Sequence, residues 1–272
     1  MKRTYTWLAL LLFSAASPLS SDAQILKNLV NNMAKANKPK PSISPADSAA
    51  AIKSFMTGTG GGGLLYQYRI SYTFSIKKKD SISRDTMSVA FTDGHNARTD
   101  MGMLGGRMVV LGHAGMPRYS LTLHPDNKTF TFNIIDTAAI NAGNGLTYQV
   151  TRVGNETVQG YNCIHSKMTN VIGGKTEVAE DIWTSTDVPG YAMLKSLIAI
   201  QNVTPKMMQA LDQAGCGGMF VKMTMQSTSF SMDMLLIGAG RKTFPDAMFQ
   251  LPAGYTQTTP VNAFAPRGLP QR

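Results

Sequence analysis

The sequence predicts a mainly β protein of the α+β class, built on an antiparallel sheet. From Leu64 onward, apolar and polar residues alternate with a period of two, which is typical of strands with one buried face. Such segments recur about every ten residues and are separated by polar turns, as in a meandering sheet. A composition of 43% hydrophobic and 15% charged residues provides a substantial core and argues against long disorder.

The clearest strand runs from Leu64 to Ile76, where Tyr66, Tyr68 and Tyr72 alternate with polar residues. Asp93-Gly94 is a hairpin signal, and Gly154-Asn155 is expected to separate two further strands. The remaining predicted strands cover residues 87–91, 97–103, 107–111, 119–123, 130–134, 148–153, 161–168, 176–185, 219–230 and 232–237.

Helices are predicted on both sides of the strand-rich region. Residues 25–33 show helical spacing. A second predicted helix has Ser44 as its N-cap and Pro45 at its first position, carries residues 49–56 and stops at Gly58. Gly60 to Gly63 are expected to form a flexible hinge, since no Gly-Lys-Ser/Thr follows to make a phosphate loop. Two late helices are predicted over residues 191–200 and 204–215.

The first 23 residues have the layout of a secretory signal peptide. Lys2 and Arg3 precede an apolar run that is too short to span a bilayer, and Ala23 closes a small-residue cleavage site. We therefore expect a periplasmic or extracellular protein, with no lipid anchor at the cleavage site because no cysteine lies there. The expected organisation is a signal peptide (1–23), a helical segment with a Gly-rich linker (24–63), a β domain (64–255) and a disordered tail (256–272).

The formal net charge is +10, a balance that favours anionic partners. The lysines are scattered, however, and their clusters do not interleave with aromatic residues as a nucleic-acid platform would. We therefore expect no nucleic-acid partner, and the basic balance is interpreted as that of an ordinary secreted protein.

Two cysteines, Cys163 and Cys216, lie in a chain expected to reach an oxidising compartment. A bridge between them would stabilise the fold by about 4 kcal/mol on the chain-entropy model. Two separate buried thiols are the alternative, and the sequence does not decide between them.

No catalytic motif is visible in the sequence. Asp93, His95 and Asp100 fall within one hairpin, where a solvated turn is favoured over a metal site or a proton relay. With no nucleophile–base pair and no cofactor fingerprint, an enzyme is the least favoured class, and no cofactor is predicted.

Methionine is unusually abundant, with 18 residues. Several methionines are spaced by two and would share a strand face. Core filling is the first interpretation, a deformable ligand cavity the second, and a Cu(I) site the third. The pairs are Met101 and Met103, Met223 and Met225, and Met232 and Met234.

Motifs in the second half of the chain carry a resemblance to a known family. The residues that carry the resemblance are Gly160-Tyr161-Asn162-Cys163, Ile182-Trp183 and the terminal Leu251-Pro252-Ala253-Gly254-Tyr255. In this order they are similar to the secreted bacterial "domain of unknown function 4412" family, whose members look like the lipoprotein carriers of the Lol pathway. The resemblance covers roughly residues 64–255.

The resemblance implies a strongly curved antiparallel sheet, an incomplete β-barrel, with helices plugging its open side. In the carriers this concavity binds acyl chains, and no catalytic residues are implied. We therefore expect a noncatalytic protein that binds a hydrophobic or lipid-like ligand. The alternatives are a secreted structural or interaction module with a filled core, meeting an envelope protein, and a Cu(I) carrier. The expected cavity residues are Tyr66, Tyr68, Tyr72, Phe74, Met87, Phe91 and Phe132, with Leu194, Leu197 and Met208 on the covering helices.

Overall fold

The computed structural model describes residues 44–76, 79–94, 96–103, 106–113, 116, 119–134, 146–172, 175–194, 206–226 and 230–258. This part of the chain contains helices α1 (Pro45–Phe55) and α2 (Lys206–Gln213), and 3-10 helices at Pro125–Asn127 and Asp246–Phe249. The predicted signal peptide and the helix over residues 25–33 lie outside it. The strands are β1 (Gly61–Ile76), β2 (Lys79–Thr92), β3 (Ala97–Met103), β4 (Gly106–Gly112), β5 (Tyr119–His124), β6 (Thr129–Ile134), β7 (Leu146–Val158), β8 (Tyr161–Ile172), β9 (Lys175–Ser185), β10 (Met219–Gln226), β11 (Phe230–Phe244) and β12 (Thr256–Gln257).

These strands form one sheet in the order β12-β6-β5-β4-β3-β2-β1-β11-β10-β9-β8-β7. Strands β1 to β6 make one meander and β7 to β11 a second, and the antiparallel pairing of β1 with β11 joins the two. Only the short β12 pairs in parallel, with β6. The sheet is curved and unclosed, which confirms the prediction of a mainly β, antiparallel architecture.

Strand β7 is longer than predicted because Gly154 lies inside it. The register with β8 shifts between Arg152 and Gly154, so a bulge absorbs the expected break and pairing continues to Val158. The chain turns instead at Gln159 and Gly160, whose φ angles are 52° and 80°. Two successive positive φ values suit a tight two-residue hairpin turn.

The glycine run is not the hinge that the sequence suggested. Gly61, Gly62 and Gly63 are the first residues of β1 and pair with β11. A Cβ on Gly63 would lie 1.9 Å from the carbonyl oxygen of Phe91 on β2. Glycine is needed here because neighbouring backbone approaches too closely for any side chain.

The start of the predicted tail is also ordered. Thr256 and Gln257 form β12 against Thr129 and Phe130, and the backbone N–H of Thr258 donates to the carbonyl of Phe130 at 2.8 Å. These backbone hydrogen bonds tie the chain to the edge strand β6, so the domain extends past residue 255. Residues 259–272 lie outside the described part.

The buried side of the sheet changes from one face to the other along the strand order. We call the face that carries Tyr66, Tyr68 and Tyr72 the tyrosine face, and the opposite one the α1 face. Direct partners share a face, and the row on the α1 face runs Leu65, Ala90, Arg98, Leu111, Leu121, Phe132. On β5 and β6 it is therefore the α1 face that is apolar. The tyrosine face there carries Ser120, Thr122, Thr131 and Asn133.

Helix α1 begins as the sequence predicts and covers the α1 face of β4 to β6. The Ser44 hydroxyl accepts from the backbone N–H of Asp47 at 3.1 Å, and Pro45 occupies the first turn. Ala51 and Phe55 pack against Val109, Leu111, Leu121, Leu123, Phe130, Phe132 and Leu251, a set we call the α1 cluster.

Helix α2 packs into a different cluster. Met207, Met208 and Leu211 join the buried residues around Tyr66, Tyr68 and Tyr72, a set we call the main cluster. The helix was expected from residue 204, and it is described from Lys206 to Gln213. Of the other late helix, over residues 191–200, a turn at 191–194 is described.

Candidate functional site

Most of the predicted cavity residues come together in the main cluster. Tyr66, Tyr68, Tyr72, Met87 and Phe91 are all buried, and the register places Tyr68 opposite Met87. The rings of Tyr66 and Phe91 meet edge to face, with centroids 6.0 Å apart. The alternation of β1 was the signal that identified this face, because a period of two puts all these side chains on one side.

Residues that follow β9 and residues of α2 also belong to the main cluster. Leu194 and Met208, two of the three predicted covering residues, are buried in the main cluster. Val188, Met207 and Leu211 lie with them and were not predicted. We call residues 186–194 together with α2 the cover. Leu197 lies outside the described residues, as does the side chain of Phe74.

Tyrosine hydroxyls fasten the cover to the sheet. The hydroxyl of Tyr66 donates to the carbonyl of Pro189 on the cover at 2.6 Å. Within the cover, the hydroxyl of Tyr191 donates to Oδ1 of Asp212 at 2.6 Å. The hydroxyl of Tyr68 instead donates to the carbonyl of Phe220 at the start of β10, at 3.3 Å. Each buried phenol therefore has a partner, as a buried hydroxyl requires.

Burial changes the acidity of these phenols. It raises the pKa of Tyr66 to about 12, and burial followed by the charge of Asp85 raises the pKa of Tyr72 to about 12 as well. The pKa of Tyr68 is also raised, by burial and then by Tyr66. All three side chains therefore stay neutral donors across the physiological range and present an uncharged surface.

The cover fits the sheet most tightly at Gly190. Its φ is +103°, and a Cβ there would lie 1.9 Å from the hydroxyl oxygen of Tyr66 and 2.7 Å from Cδ1 of Leu64. Both the backbone conformation and the lack of space exclude a side chain. At this contact the cover crosses β1.

Methionine dominates the main cluster. Met223 is the direct partner of Met234, and Met225 that of Met232, so both predicted pairs adjoin across β10 and β11. Met101 joins them, whereas the side chain of Met103 lies outside the described part. Eleven of the 28 buried members are methionines: Met87, Met101, Met108, Met168, Met207, Met208, Met219, Met223, Met225, Met232 and Met234.

One carboxylate lies among these methionines. Glu180, 3% exposed, is the register partner of Met168 on β8 and of Met225 on β10. The sequence analysis missed it. Its position two residues before Ile182, on the alternating buried face of β9, was the available signal.

Phe132 must be reassigned. It was expected beside the tyrosines, but it stacks on Tyr119 at 5.2 Å and belongs to the α1 cluster. Its direct partner Leu121 is in turn the partner of Leu111, and both lie on the α1 face. Alternation within one strand does not reveal that the buried face has switched between β3 and β5.

The two cysteines are both buried and both free thiols. The bridge that the sequence left open is not formed in this structure. The Sγ atoms of Cys163 and Cys216 instead face the carbonyls of Tyr161 and Ala214, at 3.5 and 3.4 Å. Burial raises the pKa of both thiols, which makes them poor nucleophiles.

The acidic residues of the hairpin after β2 form ion pairs with arginines. Asp93 pairs with Arg241, and Asp100 pairs with Arg98 and Arg107. His95 lies outside the described residues. Across the described ranges, no group of three or more His, Cys, Asp or Glu side chains could hold a metal ion.

A polar cluster on β7 to β10 was not predicted. Nε2 of His165 lies 2.8 Å from Oδ1 of Asp181, and its Nδ1 lies 3.0 Å from Oε1 of Glu156. The imidazole stacks on Trp183, with centroids 4.2 Å apart, and Nζ of Lys222 lies 4.2 Å from the Trp183 ring on β9. These contacts hold the β7–β10 layer together, because they link four successive strands.

Sequence comparison identifies the family. The family model "Domain of unknown function (DUF4412)" matches residues 76–255, so the chain belongs to this family. This confirms the resemblance drawn from the Gly-Tyr-Asn-Cys and Leu-Pro-Ala-Gly-Tyr motifs. No curated protein sequence matches the chain.

Solved structures of low similarity include MucB in complex with MucA(peri), with 10% identity, 77% of this chain covered and a TM-score of 0.36. The chain covers 60% of that MucB chain. A putative outer membrane lipoprotein-sorting protein domain from Vibrio parahaemolyticus has 9% identity, coverages of 75% and 94%, and a TM-score of 0.30. A LolA superfamily protein from Nitrosomonas europaea has 8% identity, coverages of 77% and 98%, and a TM-score of 0.28. Likeness at this level assigns no function.

The described helices are all too short or too polar to cross a bilayer.

Proposed function

We propose that the protein is a noncatalytic carrier that binds a hydrophobic or lipid-like ligand against the tyrosine face, beneath the cover. In this proposal the cover closes the open side of an incomplete barrel and moves aside when the ligand enters. Tyr66, Tyr68, Tyr72, Met87 and Phe91 line the ligand on the sheet side, and Leu194 and Met208 on the cover side.

The observation that carries the proposal is the methionine content of the main cluster. Eleven methionines among 28 buried residues is far more than close packing requires. A thioether on an unbranched chain rearranges at low cost, so methionine suits surfaces that accept ligands of varied shape. A core that only needed a single packing would use leucine, isoleucine and phenylalanine.

The way in which the cover is held also supports the proposal. One hydrogen bond, from Tyr66 to the carbonyl of Pro189, fastens residues 186–194 to β1. Asp187 of the cover also accepts two hydrogen bonds from Asn162 on β8. The other residues that the cover adds to the main cluster are apolar, such as Val188, Leu194 and Met208. An apolar ligand can replace such contacts without leaving buried polar groups unsatisfied.

The proposed location is the periplasm or the extracellular space, and it rests on the signal-peptide layout of residues 1–23. We expect the protein from a periplasmic fraction to begin at Gln24. N-terminal sequencing tests this, and a mature chain that still begins at Met1 would contradict it.

A secreted structural or interaction module with a filled core is the second candidate. The tight contact of Gly190 with Tyr66 and Leu64 favours it, because the cover is already well fitted to the sheet. Such a module would meet an envelope protein through its surface and bind no lipid.

Native mass spectrometry of the protein from its periplasmic fraction, with lipid extraction, tests the proposal. We expect co-purifying lipid, and saturable binding of a fluorescent C12 fatty acid. Repeated purification without lipid, together with no fatty-acid binding, would favour the filled module.

A pair of matched variants tests the role of the cover. Tyr66→Phe removes the hydrogen bond to the cover, while Tyr68→Phe removes one within the sheet. If the cover must open, Tyr66→Phe binds the fatty acid about two- to tenfold more tightly, because the open state is more populated. Equal effects of the two variants would contradict the gating role.

A further inference from the structure

A separate cleft opens on the other side of the sheet, away from the main cluster. It lies on the α1 face, between strands β1 to β4 and the corner formed by Pro245 and the 3-10 helix Asp246–Phe249, and has a volume of about 540 Å³. This volume is within the range of small-molecule sites in proteins, and the cleft is wide open to solvent. Nothing in the proposed carrier function uses it.

The register explains why polar groups converge here. Gln67 on β1, Ser88 on β2 and Asp100 on β3 are successive direct partners, so they form one row across three strands. Arg98 lies two residues before Asp100 on the same face, and Arg107 of β4 lies beside it. The row places an amide, a hydroxyl and a carboxylate side by side at the base of the cleft.

Arg98 forms hydrogen bonds that hold the cleft together. Its Nε and Nη2 donate to the two carboxylate oxygens of Asp100, at 2.5 and 2.9 Å, and its Nη1 donates to the carbonyl of Met248 at 2.8 Å. The guanidinium therefore ties β3 to the 3-10 helix that forms the wall. It is a structural group, because each of its three nitrogens donates one hydrogen bond within the protein.

Arg107 is different. One of its nitrogens, Nη2, donates to Oδ1 of Asp100 at 2.7 Å, yet its side chain is 60% exposed. A guanidinium has five N–H donors, so most of them remain available to a ligand. Its backbone N–H donates to Asp126 at 2.9 Å, which fixes the start of β4 and keeps the side chain at the rim.

The side chains that line the cleft carry more positive than negative charge. Burial alone would raise the pKa of Asp100, but the hydrogen bonds and charges of Arg98 and Arg107 outweigh it and hold that pKa below the usual value. Asp100 is therefore ionised at neutral pH and cancels one guanidinium. One positive charge is left over, and it lies on the exposed group, Arg107.

The remaining lining is mixed. Leu65, Pro245 and Met248 form an apolar wall, while Gln67 and Ser88 add an amide and a hydroxyl. A ligand that fits has an anionic end for Arg107, a polar group near Ser88 and Gln67, and a short apolar body.

We propose that this cleft binds a small organic anion, a carboxylate or phosphate monoester with a short apolar body, through Arg107, Gln67 and Ser88. The site is independent of the tyrosine face, which lies on the opposite side of the sheet. The ligand is anchored by a charge-assisted hydrogen bond at Arg107, the strongest kind available in this lining.

Isothermal titration calorimetry of the full mature chain tests the site. The probes are hexanoate and hexyl phosphate, with hexanol and hexylamine as neutral and cationic controls. We expect the two anions to bind with affinity that falls as salt is added, and neither control to bind. Absence of anion binding, or equal binding of hexanol, would overturn the proposal.

Three variants locate the binding. Arg107→Gln removes the anchoring charge, and Ser88→Ile fills the floor with a side chain suited to a strand. Both should weaken anion binding about tenfold or more. Arg152→Gln, at an exposed arginine on the edge strand β7, is the matched control and should leave the affinity within about twofold.

The variants also separate this site from the carrier function. Loss of hexanoate binding in Arg107→Gln and Ser88→Ile, with fatty-acid binding retained, supports the cleft as a second site. Hexanoate binding that survives both substitutions would place the anion elsewhere and overturn the assignment, whatever the result for the fatty acid.

Discussion

The two buried clusters lie on opposite faces of one sheet and differ sharply in composition. The main cluster is rich in methionine, whereas the nine buried members of the α1 cluster are leucine, valine, phenylalanine and alanine, without a methionine. Branched and aromatic side chains have few rotamers and specify one packing, while methionine adapts. Under the proposed function, the half beneath α1 serves as a rigid support, and the half beneath the cover changes its packing to admit a ligand.

The largest expected effect on stability comes from a substitution in the α1 cluster. Phe55→Ala removes a fully buried ring that meets His113 edge to face at 5.9 Å. We expect the free energy of unfolding to fall by about 3–5 kcal/mol, since α1 loses its main anchor. Denaturant unfolding measures the loss. Fatty-acid binding at temperatures where the variant is folded should be unchanged, and a loss of binding there would contradict the separation of the two halves.

A second prediction addresses the fit of the cover. Gly190→Ala should destabilise the protein by about 1–3 kcal/mol, because the residue has a positive φ and its Cβ would meet Tyr66. Gly160→Ala is the matched control, with φ +80° and open space around it. Gly160→Ala reports the backbone strain alone. The difference in stability loss between the two variants therefore measures the cost of the contact at Gly190.

The same contact can be relieved. Combining Gly190→Ala with Tyr66→Phe removes the hydroxyl oxygen nearest to the new methyl group. In thermal unfolding, the double variant should lose less stability than the sum of the losses of the two single variants. Simple additivity would indicate that backbone strain, not contact with the tyrosine, sets the cost.

A third prediction uses pH to examine the α1 face. The pKa of Asp100 is lowered in the folded protein, so the ionised carboxylate stabilises the fold. This contribution to the free energy of unfolding is complete above the pKa of the unfolded chain, about 3.9, and is lost as pH falls through the pKa of the folded protein. Asp100→Asn should cost about 1–2 kcal/mol at pH 7 and flatten the loss of stability below pH 4. Urea unfolding at several pH values measures both. A variant with the same acid dependence as the wild type would contradict the assignment.

The smallest expected effect on stability per substituted residue is also the sharpest test of the half beneath the cover. Replacing Met223, Met225, Met232 and Met234 by leucine conserves volume and should cost less than about 1.5 kcal/mol per site. Binding of the fluorescent fatty acid should weaken by about tenfold, because the face loses its freedom to rearrange. Unchanged binding would contradict an adaptable cavity.

That variant also decides the copper alternative. The four thioethers are paired across β10 and β11, which would suit Cu(I). Stoichiometric Cu(I) in the wild type, lost in the leucine variant, would favour a copper carrier. No Cu(I) uptake by the wild type would remove this alternative.

Local signals predicted most of the elements. The cap at Ser44 and the alternation of β1 were sufficient because hydrogen bonds and side-chain direction over a few residues decide them. The errors at Gly61 to Gly63 and at Gly154 share a cause. A glycine that ends a strand and one that allows close approach or a bulge look alike until the neighbouring strand is known.

The candidate site was predicted in part for the same reason. Tyr66, Tyr68 and Tyr72 share a face by alternation alone, whereas Glu180 and the members of the cover reach that face only through pairing and packing. The arginine-lined cleft has no signal in the sequence. Its residues come from β1 to β4 and from the corner at 245–248, segments far apart along the chain.

The sequence by itself determined the class of the fold, the strands and the presence of an apolar tyrosine-bearing face, because the period of side chains along a strand is a local property. The tertiary structure alone decided that the buried face switches between β3 and β5, that Phe132 belongs with α1, and that a cationic cleft lies opposite the tyrosines. Register between strands and the placement of helices depend on contacts distant in sequence, and no local pattern encodes which face a neighbouring strand will bury.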